Sequence, residues 1–258
     1  MEYKTIIGLP VYNEEKCIGK LLDRITKLWG ILGEGLRIVI VNDGSCDSTE
    51  SILRQYSEKY PFLHYLNHST NLGLGKAVET LFYHVSQNYG DDDVLVTLDA
   101  DNTHNPGIIP PMIEKLKKEE LDIVIASRFA AGGREIGLSL FRRFLSRGAS
   151  LYCKIAFPIK NIRDYSCGYR AYNIGYLKRM LVLYEGKLVE SSGFECMVEI
   201  LGRCSKAGVR VAEYPLVLEY DQKESPSKMK VLKTIMGYFR LWVKIRKPKN
   251  LSGEVTYE

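Results

Sequence analysis

The sequence predicts an α/β fold with a mostly parallel central sheet, and three observations support that prediction. Short apolar runs rich in β-branched residues alternate with amphipathic stretches through the first half of the chain, which is typical of βαβ units. Polar and charged residues directly follow most of these runs, as expected where strands end at a binding edge. Hydrophobic residues make up 45% of the 258 and charged residues 26%, which excludes a wholly disordered chain.

Five apolar runs in the first half have the length and composition of buried strands. They cover residues 5–11, 36–41, 62–66, 94–98 and 122–126. Apolar residues spaced three and four apart predict helices between these runs. The predicted helices cover 14–29, 47–60, 74–88 and 106–118.

The second half of the chain has a different pattern. In order, it predicts a loop at 131–134, a basic helix at 138–157, a turn at 164–170 leading into a strand, a helix at 190–204 and a polar loop at 221–227. A further strand is predicted at 210–218. Because it contains Pro215, which cannot donate a hydrogen bond to a neighbouring strand, we expect it at an edge of the sheet.

Composition narrows the class of protein. The net charge of +5 comes from 36 basic and 31 acidic residues, whereas nucleic-acid binding needs a concentrated basic face, so no nucleic-acid partner is expected. The six cysteines include no C-x-x-C pair, which favours reduced thiols over a zinc site. No apolar run approaches the ~18 residues of a membrane span, and Glu2 stands where a signal peptide has basic residues. We expect a cytoplasmic protein.

Polar residues after four of the strands converge on one edge of the predicted sheet, because the carboxyl ends of parallel strands meet there. The segments are 10–15 after the first strand, 42–45 after the second, 99–101 at the end of the fourth and 127–128 after the fifth. This edge is therefore the expected active site.

Asp99 and Asp101 are the sharpest local signal at this edge. Two carboxylates one residue apart repel each other unless a cation lies beside them, and oxygen ligands suit a hard ion such as Mg²⁺ or Mn²⁺. A metal site is one interpretation, and a solvated acidic turn is the other. His104 follows closely and has two interpretations, a group near the ion or a structural residue.

Other polar residues also have a functional and a structural interpretation. Gly44 permits a tight helix entry beside Asp43, whose carboxylate can instead accept a hydrogen bond from a base N–H. Glu195 is either part of a site or an acid favoured at a helix N-terminus. The arginines that could hold phosphates bidentately, or form a solvated basic face, are Arg128, Arg142, Arg143 and Arg147.

Taken together, the motifs resemble those of family 2 glycosyltransferases. In chain order they are P-V-Y-N-E-E, N-D-G-S, N-L-G-L-G-K-A, D-A-D, S-R-F, S-R-G-A, D-Y-S-C-G-Y-R, G-F-E and S-K. Within that family they are most similar to the branch of dolichol- and polyprenol-phosphate mannosyltransferases. Each motif is loose alone, but their order and spacing from residue 5 to about residue 230 are specific.

The resemblance implies a GT-A fold, which is a Rossmann-like α/β architecture that binds a nucleotide sugar. It implies that the nucleoside is surrounded by Pro10, Tyr12, Glu14 and Asp43. It also implies that Asp99 lies near the sugar and diphosphate, and that Asp101, together with Asp99, holds Mg²⁺ or Mn²⁺ as the cofactor.

The remaining implied residues handle phosphates and the acceptor. Arg128 and Lys228 join the two aspartates in the implied catalytic set, and Arg147 faces a phosphate group. The wall near the acceptor mouth is formed by Asp164, Ser166, Gly168 and Arg170. Ser227 lies with Lys228 on a loop that closes over the diphosphate.

Three positions depart from the pattern of that branch. Thr103 stands where the branch usually has a glutamine that is a further metal ligand, and threonine is the poorer ligand. Gln222 stands where an arginine is usual, six residues before Lys228. Pro226 precedes the Ser-Lys pair where glycine is favoured, which predicts a stiffer loop.

The implied reaction moves a hexose from a nucleoside diphosphate sugar to a polyprenyl (dolichyl-type) phosphate by single displacement with inversion. Because a lipid phosphate is already an anion, it needs no strong general base. The alternative is a family 2 glycosyltransferase acting on a hydroxyl of a polysaccharide or glycolipid, with Asp164 or Glu195 as the base. A third hypothesis is a catalytically silent nucleotide-sugar-binding partner of a membrane protein.

Residues 231–247 predict an amphipathic helix with a broad apolar arc and basic residues opposite. Tyr238 and Trp242 on the apolar arc are typical of a helix at a membrane surface, which predicts peripheral attachment to the inner face of the membrane. The alternative is a helix packed on the catalytic domain. The predicted organisation is a GT-A domain at 1–229, this helix at 230–250 and a tail at 251–258.

Overall fold

A computed structural model of the chain describes residues 3–137, 140–222 and 231–245. Its strands are β1 (Thr5–Val11), β2 (Leu36–Asn42), β3 (Leu63–Asn67), β4 (Val94–Thr97), β5 (Ile123–Ser127), β6 (Arg134–Ile136), β7 (Arg170–Asn173), β8 (Val211–Pro215) and β9 (Val217–Glu219). Seven of them form one sheet in the order β3-β2-β1-β4-β7-β5-β8, and β6 pairs with β9 in a second sheet.

Helices connect most of these strands. They are α1 (Ile18–Thr26), α2 (Trp29–Leu32), α3 (Thr49–Lys59), α4 (Leu74–Asn88), α5 (Ile109–Lys118), α6 (Leu140–Ala156), α7 (Ile174–Leu183), α8 (Cys196–Ala207) and α9 (Val231–Lys244). The apolar spacing that predicts them is also what buries them. In α1, for example, the buried positions are Ile18, Leu21, Leu22 and Ile25.

The sheet is mostly parallel, as predicted. β1 pairs in parallel with β2 and β4, and β5 pairs in parallel with β8. β8 lies at the end of the sheet order, which confirms the edge position predicted from Pro215. The exception is β7, which runs antiparallel between β4 and β5. It brings the turn at 164–169 to the carboxyl end of β4, next to the predicted site.

Two predicted helices begin later than expected. The helix predicted from residue 14 begins at Ile18, because Glu14 first forms a turn in which its carbonyl accepts from the amide of Cys17 at 3.0 Å. The helix predicted from residue 190 begins at Cys196. There the amides of Glu190 and Ser191 donate instead to the Glu199 carboxylate, at 3.1 and 2.8 Å.

The C-terminal helix packs on the rest of the chain along one stripe. Thr234, Tyr238, Leu241 and Ile245 are buried, at the three- and four-residue spacing of one helix face. Ile245 reaches α8 so closely that a Cβ on Gly202 would lie 2.7 Å from its Cδ1. Part of the arc predicted to face a membrane therefore belongs to the core. The tail at 251–258 lies outside the described residues.

Two histidines share a hydrogen bond between the edge strand and its covering helix. Nε2 of His64 on β3 lies 3.0 Å from Nε2 of His84 on α4. Burial lowers the pKa of both rings, and the pKa of His64 is lowered further by His84 and Arg37. A proton can occupy only one of the two facing nitrogens, so the folded protein resists protonation of the pair.

We expect His84→Gln to make the protein's stability less sensitive to acid. With lowered pKa values in the folded state, the unfolded chain binds protons first as the pH falls below about 6.5, so the pair loses stability in that range. The melting temperature of the wild type should therefore fall more between pH 7.5 and pH 5.5 than that of His84→Gln. Equal falls would show that the pair does not titrate as described.

Candidate active site

The loop after β4 carries both acidic residues of the predicted metal site. Asp101 is only 8% exposed, so it is not part of a freely solvated turn. Its Oδ1 accepts from the Thr103 hydroxyl at 2.7 Å and from the Thr103 amide at 3.2 Å. Thr103, the first departure from the family pattern, therefore orients the Asp101 carboxylate.

The same loop is held from α1. Asn102 has a left-handed backbone with φ of 64°, a conformation that asparagine tolerates better than most residues. Arg24 donates to Asn102 Oδ1 at 2.8 Å and to Asn105 Oδ1 at 3.3 Å. Asn105 also accepts from the amide of Gly107 at 3.0 Å, where the helical segment begins. These contacts fix the path of the loop between the two aspartates and α5.

His104 supports the loop from the protein interior rather than facing a ligand. It is buried, its Nδ1 lies 3.3 Å from the amide nitrogen of Asp99, and its ring packs on that of Tyr169 at 5.1 Å. This agrees with the structural interpretation of His104. Gly168, in the turn before β7, lies against Asp99, since a Cβ there would be 3.1 Å from Asp99 Oδ1. The acidic loop and the predicted acceptor wall therefore meet at Gly168.

Arg128 connects the end of β5 to that wall. Its guanidinium makes two parallel hydrogen bonds to Asp164, at 2.8 Å from Nε to Oδ2 and 2.7 Å from the second nitrogen to Oδ1. It also donates to the Ser166 hydroxyl at 2.9 Å, and lies 3.5 Å from a Glu135 carboxylate oxygen. The structure thus brings Arg128, Asp164 and Ser166 together, beside a carboxylate that no sequence motif indicated.

Asp164 is a wholly buried anion whose charge Arg128 compensates. Burial alone would raise its pKa, but the Arg128 guanidinium and its hydrogen bonds hold the pKa below the usual value. The Asp164 side chain has no exposed surface, so it cannot touch an acceptor in this conformation. Its role is to position Arg128, and a paired carboxylate of lowered pKa is a poor general base.

The burial of Arg170 contradicts the prediction that this residue contacts the acceptor. The residue has no exposed surface, and its guanidinium donates to the carbonyls of Cys167 and Tyr165, both at 2.8 Å. A buried guanidinium must satisfy its donors within the protein. Arg170 therefore shapes the 165–167 turn from inside and does not reach the solvent-facing wall.

The predicted nucleoside residues lie at the neighbouring ends of β1 and β2. Pro10 is in β1, and Tyr12 is half-buried just after it. Glu14 is buried, with its amide donating to the Thr49 hydroxyl at 2.9 Å. The Asp43 amide donates to the carbonyl of Val11, at 2.8 Å, so the two strand ends are joined.

The Asp43 carboxylate itself holds the loop at 68–73. It accepts from the amides of Leu72 and Gly73 at 3.0 and 2.8 Å, and from Nδ1 of His68 at 2.7 Å. The loop crosses so closely that a Cβ on Gly44 would lie 2.3 Å from the carbonyl carbon of Thr70. Glycine is required there, as its φ of 66° also indicates.

The remaining predicted residues are less directly placed. Arg147 is exposed on α6, one turn before Ser150, whose hydroxyl donates to the Arg163 carbonyl beside the acceptor wall. Glu195 is half-buried at the residue before α8, and its carboxylate lies near Gly193. Ser227 and Lys228 lie outside the described residues, as do the side chains of Arg142 and Arg143.

The donor set at the end of β4 fits a hard divalent cation. Within the described residues no third histidine, cysteine or acid completes a ligand cluster with Asp99 and Asp101. Mg²⁺ commonly takes just one or two carboxylates and fills its other positions with water and substrate phosphates. Asp101, oriented by Thr103, and Asp99 are the residues that would hold it.

Comparison with known proteins places the chain in a family. The model of glycosyl transferase family 2 matches residues 6–181, which is more than half of the chain. The chain belongs to that family. This confirms the resemblance derived from the ordered motifs.

Two relatives carry names of the branch that the motifs resemble. A dolichol-phosphate mannosyltransferase of Pyrococcus furiosus is 34% identical over 92% of this chain and 62% of its own length. An undecaprenyl-phosphate mannosyltransferase of Micrococcus luteus is 30% identical over 89% of this chain and 88% of its own. The chain thus spans under two thirds of the Pyrococcus protein.

Solved structures confirm the predicted GT-A fold. Glucosyl-3-phosphoglycerate synthase of Mycobacterium tuberculosis, in complex with Mn²⁺, UDP and phosphoglyceric acid, superposes with a TM-score of 0.68. It is 15% identical, and the match covers 94% of this chain and 78% of that one. The same enzyme with Mg²⁺ and UDP gives a TM-score of 0.66.

Several residues that build the site carry no motif signal. Arg24 and His68 act through contacts between segments far apart in the chain, and Glu135 acts through a contact with Arg128 across the loop that follows β5. An arginine in a helix, a glutamate in a short strand and a histidine after a strand are each common in any α/β protein. Their roles follow only from the fold that brings them to Asn102, Arg128 and Asp43.

A double-mutant cycle on Arg128 and Asp164 should give a coupling energy of about 2–3 kcal/mol in urea unfolding. Removing one partner leaves the other charge buried and unpaired, which costs about 3–5 kcal/mol. Arg128→Met, Asp164→Asn and their combination supply the cycle. The exposed pair Lys115–Glu119, at 2.7 Å, is the control and should couple by no more than about 0.5 kcal/mol. Equal coupling in the two pairs would contradict the described burial.

Proposed function

We propose that the protein transfers a hexose from a nucleoside diphosphate sugar to a polyprenyl phosphate, with inversion at the sugar carbon and with assistance from a divalent cation. The supporting observation is the meeting of two groups at one sheet edge. The Asp99–Asp101 loop lies against Gly168 in the turn before β7, and Arg128 donates to Ser166 in the same turn. The two named relatives act, by their names, on lipid phosphates.

The two groups suit the two ends of the reaction. Asp101 and Asp99 would hold Mg²⁺ or Mn²⁺, and a bound cation would neutralise the charge that develops on the departing diphosphate. Arg128, fixed in a bidentate pair, presents a preorganised guanidinium beside Ser166 for a phosphate. Lys228 and Ser227 stay predictions for the same charge, since they lie outside the described residues.

An anionic acceptor agrees with the state of Asp164, one of the two carboxylates that could serve as the base for a hydroxyl acceptor. Asp164 is buried in its pair with Arg128, whereas Glu195, the other, is half-buried just before α8. A hydroxyl acceptor would need one of these carboxylates to take its proton. A phosphate acceptor needs only alignment with the sugar carbon, which the packed turn at 164–168 can provide.

The reaction is tested by offering two acceptors of equal chain length. The full-length protein is incubated with Mn²⁺, a panel of labelled sugar nucleotides and either a polyprenyl phosphate or the corresponding polyprenyl alcohol. Label should enter the lipid fraction with the phosphate and not with the alcohol. Transfer to the alcohol would support the hydroxyl-acceptor alternative. No transfer with any sugar nucleotide would support a silent binding partner.

Asp101→Asn is expected to reduce transfer by at least about a hundredfold, since it removes a charge that helps to hold the cation at the departing diphosphate. Asp92→Asn is the matched control, because Asp92 is exposed just before the other end of the same strand, β4. Initial rates at saturating Mn²⁺ measure the difference. If Asp101→Asn were as active as Asp92→Asn, the metal assignment would be wrong.

A lipid phosphate lies at a bilayer surface, and α6 and α9 present a face suited to one. We call this the α6–α9 face. It is defined by the exposed apolar residues Leu151, Ile155, Met236, Phe239, Trp242 and Val243. The rings of Tyr152 and Phe239 pack at 4.4 Å and bring the two helices together. Large exposed apolar residues grouped on one surface are unusual and mark interaction sites.

Basic residues accompany the apolar ones. Arg147 and Lys154 on α6, and Arg240 and Lys244 on α9, are exposed. Each cation near an anionic bilayer contributes about 1 kcal/mol, while the apolar side chains enter the interface. None of the helices within the described residues is both long and apolar enough to cross a membrane. The geometry therefore suits contact along the surface, with the buried stripe of α9 facing the protein.

Replacing both Ile155 and Trp242 with serine should weaken binding to phosphatidylglycerol vesicles by at least about tenfold. Burial of each of these apolar side chains in the membrane interface contributes about 1.5–3 kcal/mol to the binding free energy. Point variants are preferable to deleting α9, which would uncover its buried stripe. Val182→Ser is the control, since Val182 is as exposed but lies on α7. Co-sedimentation equal to that of Val182→Ser would refute the α6–α9 face as the membrane surface.

A further inference from the structure

Two of the chain's four histidines lie outside the candidate active site and face each other. His68 contacts Asp43, and His104 contacts the amide of Asp99. The other two are His64, on the edge strand β3, and His84, on the helix α4 that covers it. Both are half-buried, and their Nε2 atoms lie 3.0 Å apart. The fold therefore places two imidazole nitrogens side by side at the protein surface.

The paired rings can release both Nε2 lone pairs without gaining or losing a proton. Burial lowers the pKa of each ring, so both are neutral at pH 7.5, and one Nε2–H donates to the other Nε2. When that proton moves to Nδ1 of its own ring, two neutral imidazoles with two unprotonated Nε2 atoms remain. Neutral imidazole nitrogen is the form that binds metal ions.

The spacing of the two nitrogens suits neighbouring ligands of one ion. Imidazole nitrogens bind zinc at about 2.0–2.1 Å, and with that bond length two nitrogens 3.0 Å apart subtend an angle of about 95° at the ion. The square-planar or tetragonal geometry of Cu²⁺ and Ni²⁺ has ligands at nearly this angle. A tetrahedral zinc ion would need the nitrogens about 3.3–3.4 Å apart.

The ring orientation and the surroundings permit such an ion. The rings are inclined by 55° with centroids 5.1 Å apart, so they are not stacked, and the soft χ2 torsion of histidine lets both lone pairs turn toward solvent. The nearest cation that acts on the pair is Arg37, which lowers the pKa of His64. Its guanidinium donates to the carbonyls of Glu34 and Leu36 at 2.8 and 2.7 Å, which holds it against the backbone.

We infer that His64 and His84 form a binding site for a divalent transition metal ion, with a geometry that fits Cu²⁺ or Ni²⁺ and with water as the remaining ligands. Among the described residues no third histidine, cysteine or acid joins them, so the protein supplies two ligands. Imidazole selects such borderline ions, whereas carboxylate oxygens select Mg²⁺ or Mn²⁺. The His64–His84 site is therefore chemically distinct from the cation site at Asp99 and Asp101.

An ion at the His64–His84 site would join the two ends of one connection. β3 ends at Asn67 and α4 begins at Leu74, and the loop between them is the one that the Asp43 carboxylate holds. Because such an ion binds the folded protein and not the unfolded chain, it stabilises the fold. Ni²⁺ should raise the melting temperature of the wild type but not that of His84→Gln, and an equal rise in both would contradict the assignment.

Calorimetric titration of the full-length protein, without an affinity tag, with Ni²⁺ in excess Mg²⁺ tests the site directly. Mg²⁺ competes for the carboxylates, so the heat reports binding to softer ligands. His84→Gln should weaken Ni²⁺ binding by at least about tenfold, because it removes one of two protein ligands. Cys46→Ser is the control, since Cys46 is the exposed cysteine and an alternative soft ligand, and its affinity should match the wild type.

Three results of this titration would overturn the inference. They are no Ni²⁺ binding by the wild type, equal affinity in the wild type and His84→Gln, and loss of binding in Cys46→Ser. The last would place the ion on the thiol.

Electron paramagnetic resonance of bound Cu²⁺ identifies the ligands without relying on a ligand-deleting variant. The measurement uses Cys46→Ser, because an exposed thiol can reduce Cu²⁺. The spectrum should show hyperfine coupling to the nitrogens of two imidazoles, and adding His84→Gln should leave coupling to one. A spectrum with oxygen ligands alone would show that the ion lies elsewhere and would overturn the inference.

Discussion

The site depends on holding two carboxylates close together on one short loop. Asp99 and Asp101 repel each other, and Asp101 is almost fully buried, so the loop is stable only if other groups fix it. Thr103 binds the Asp101 carboxylate, Arg24 anchors the loop from α1, and His104 lies beneath the Asp99 amide. These contacts fix the path of the acidic loop before any ligand arrives. Preorganisation of this kind is what makes charge stabilisation effective in catalysis.

The positively charged guanidinium of Arg128 is also held in place by neighbouring side chains. Arg128 is paired with Asp164 and lies near Glu135, so its guanidinium is held in one orientation rather than free to sample many. Arg170, fully buried, supports the turn that carries Ser166. The turn predicted to form the acceptor wall is therefore built on a buried ionic and hydrogen-bonded layer. Asp164 and Arg170 have no exposed surface, so they support this turn from inside.

Sequence predicts the parts of this arrangement that follow from local pattern. The strands, most of the helices and the convergence of Asp43, Asp99 and Arg128 on one edge all follow from periodicity and the parallel-sheet rule. Contacts between residues that are far apart in the chain cannot be predicted from local pattern. The antiparallel insertion of β7, the ion pair between residues 36 apart and the burial of Arg170 depend on three-dimensional packing. Thr103 illustrates this limit of prediction. Threonine is a weak metal ligand by residue type, and only the structure shows that its hydroxyl orients the Asp101 carboxylate.

The central claim is that the acidic loop after β4 holds a divalent cation against a nucleotide diphosphate. The most direct measurement is the anomalous scattering of manganese in crystals of the protein soaked with Mn²⁺ and the sugar nucleotide that binds most tightly. The account predicts one manganese peak bonded to the Asp101 carboxylate and to diphosphate oxygens. A nucleotide bound at this sheet edge with no manganese beside Asp101 or Asp99, or a pocket filled by the protein's own side chains, would contradict it.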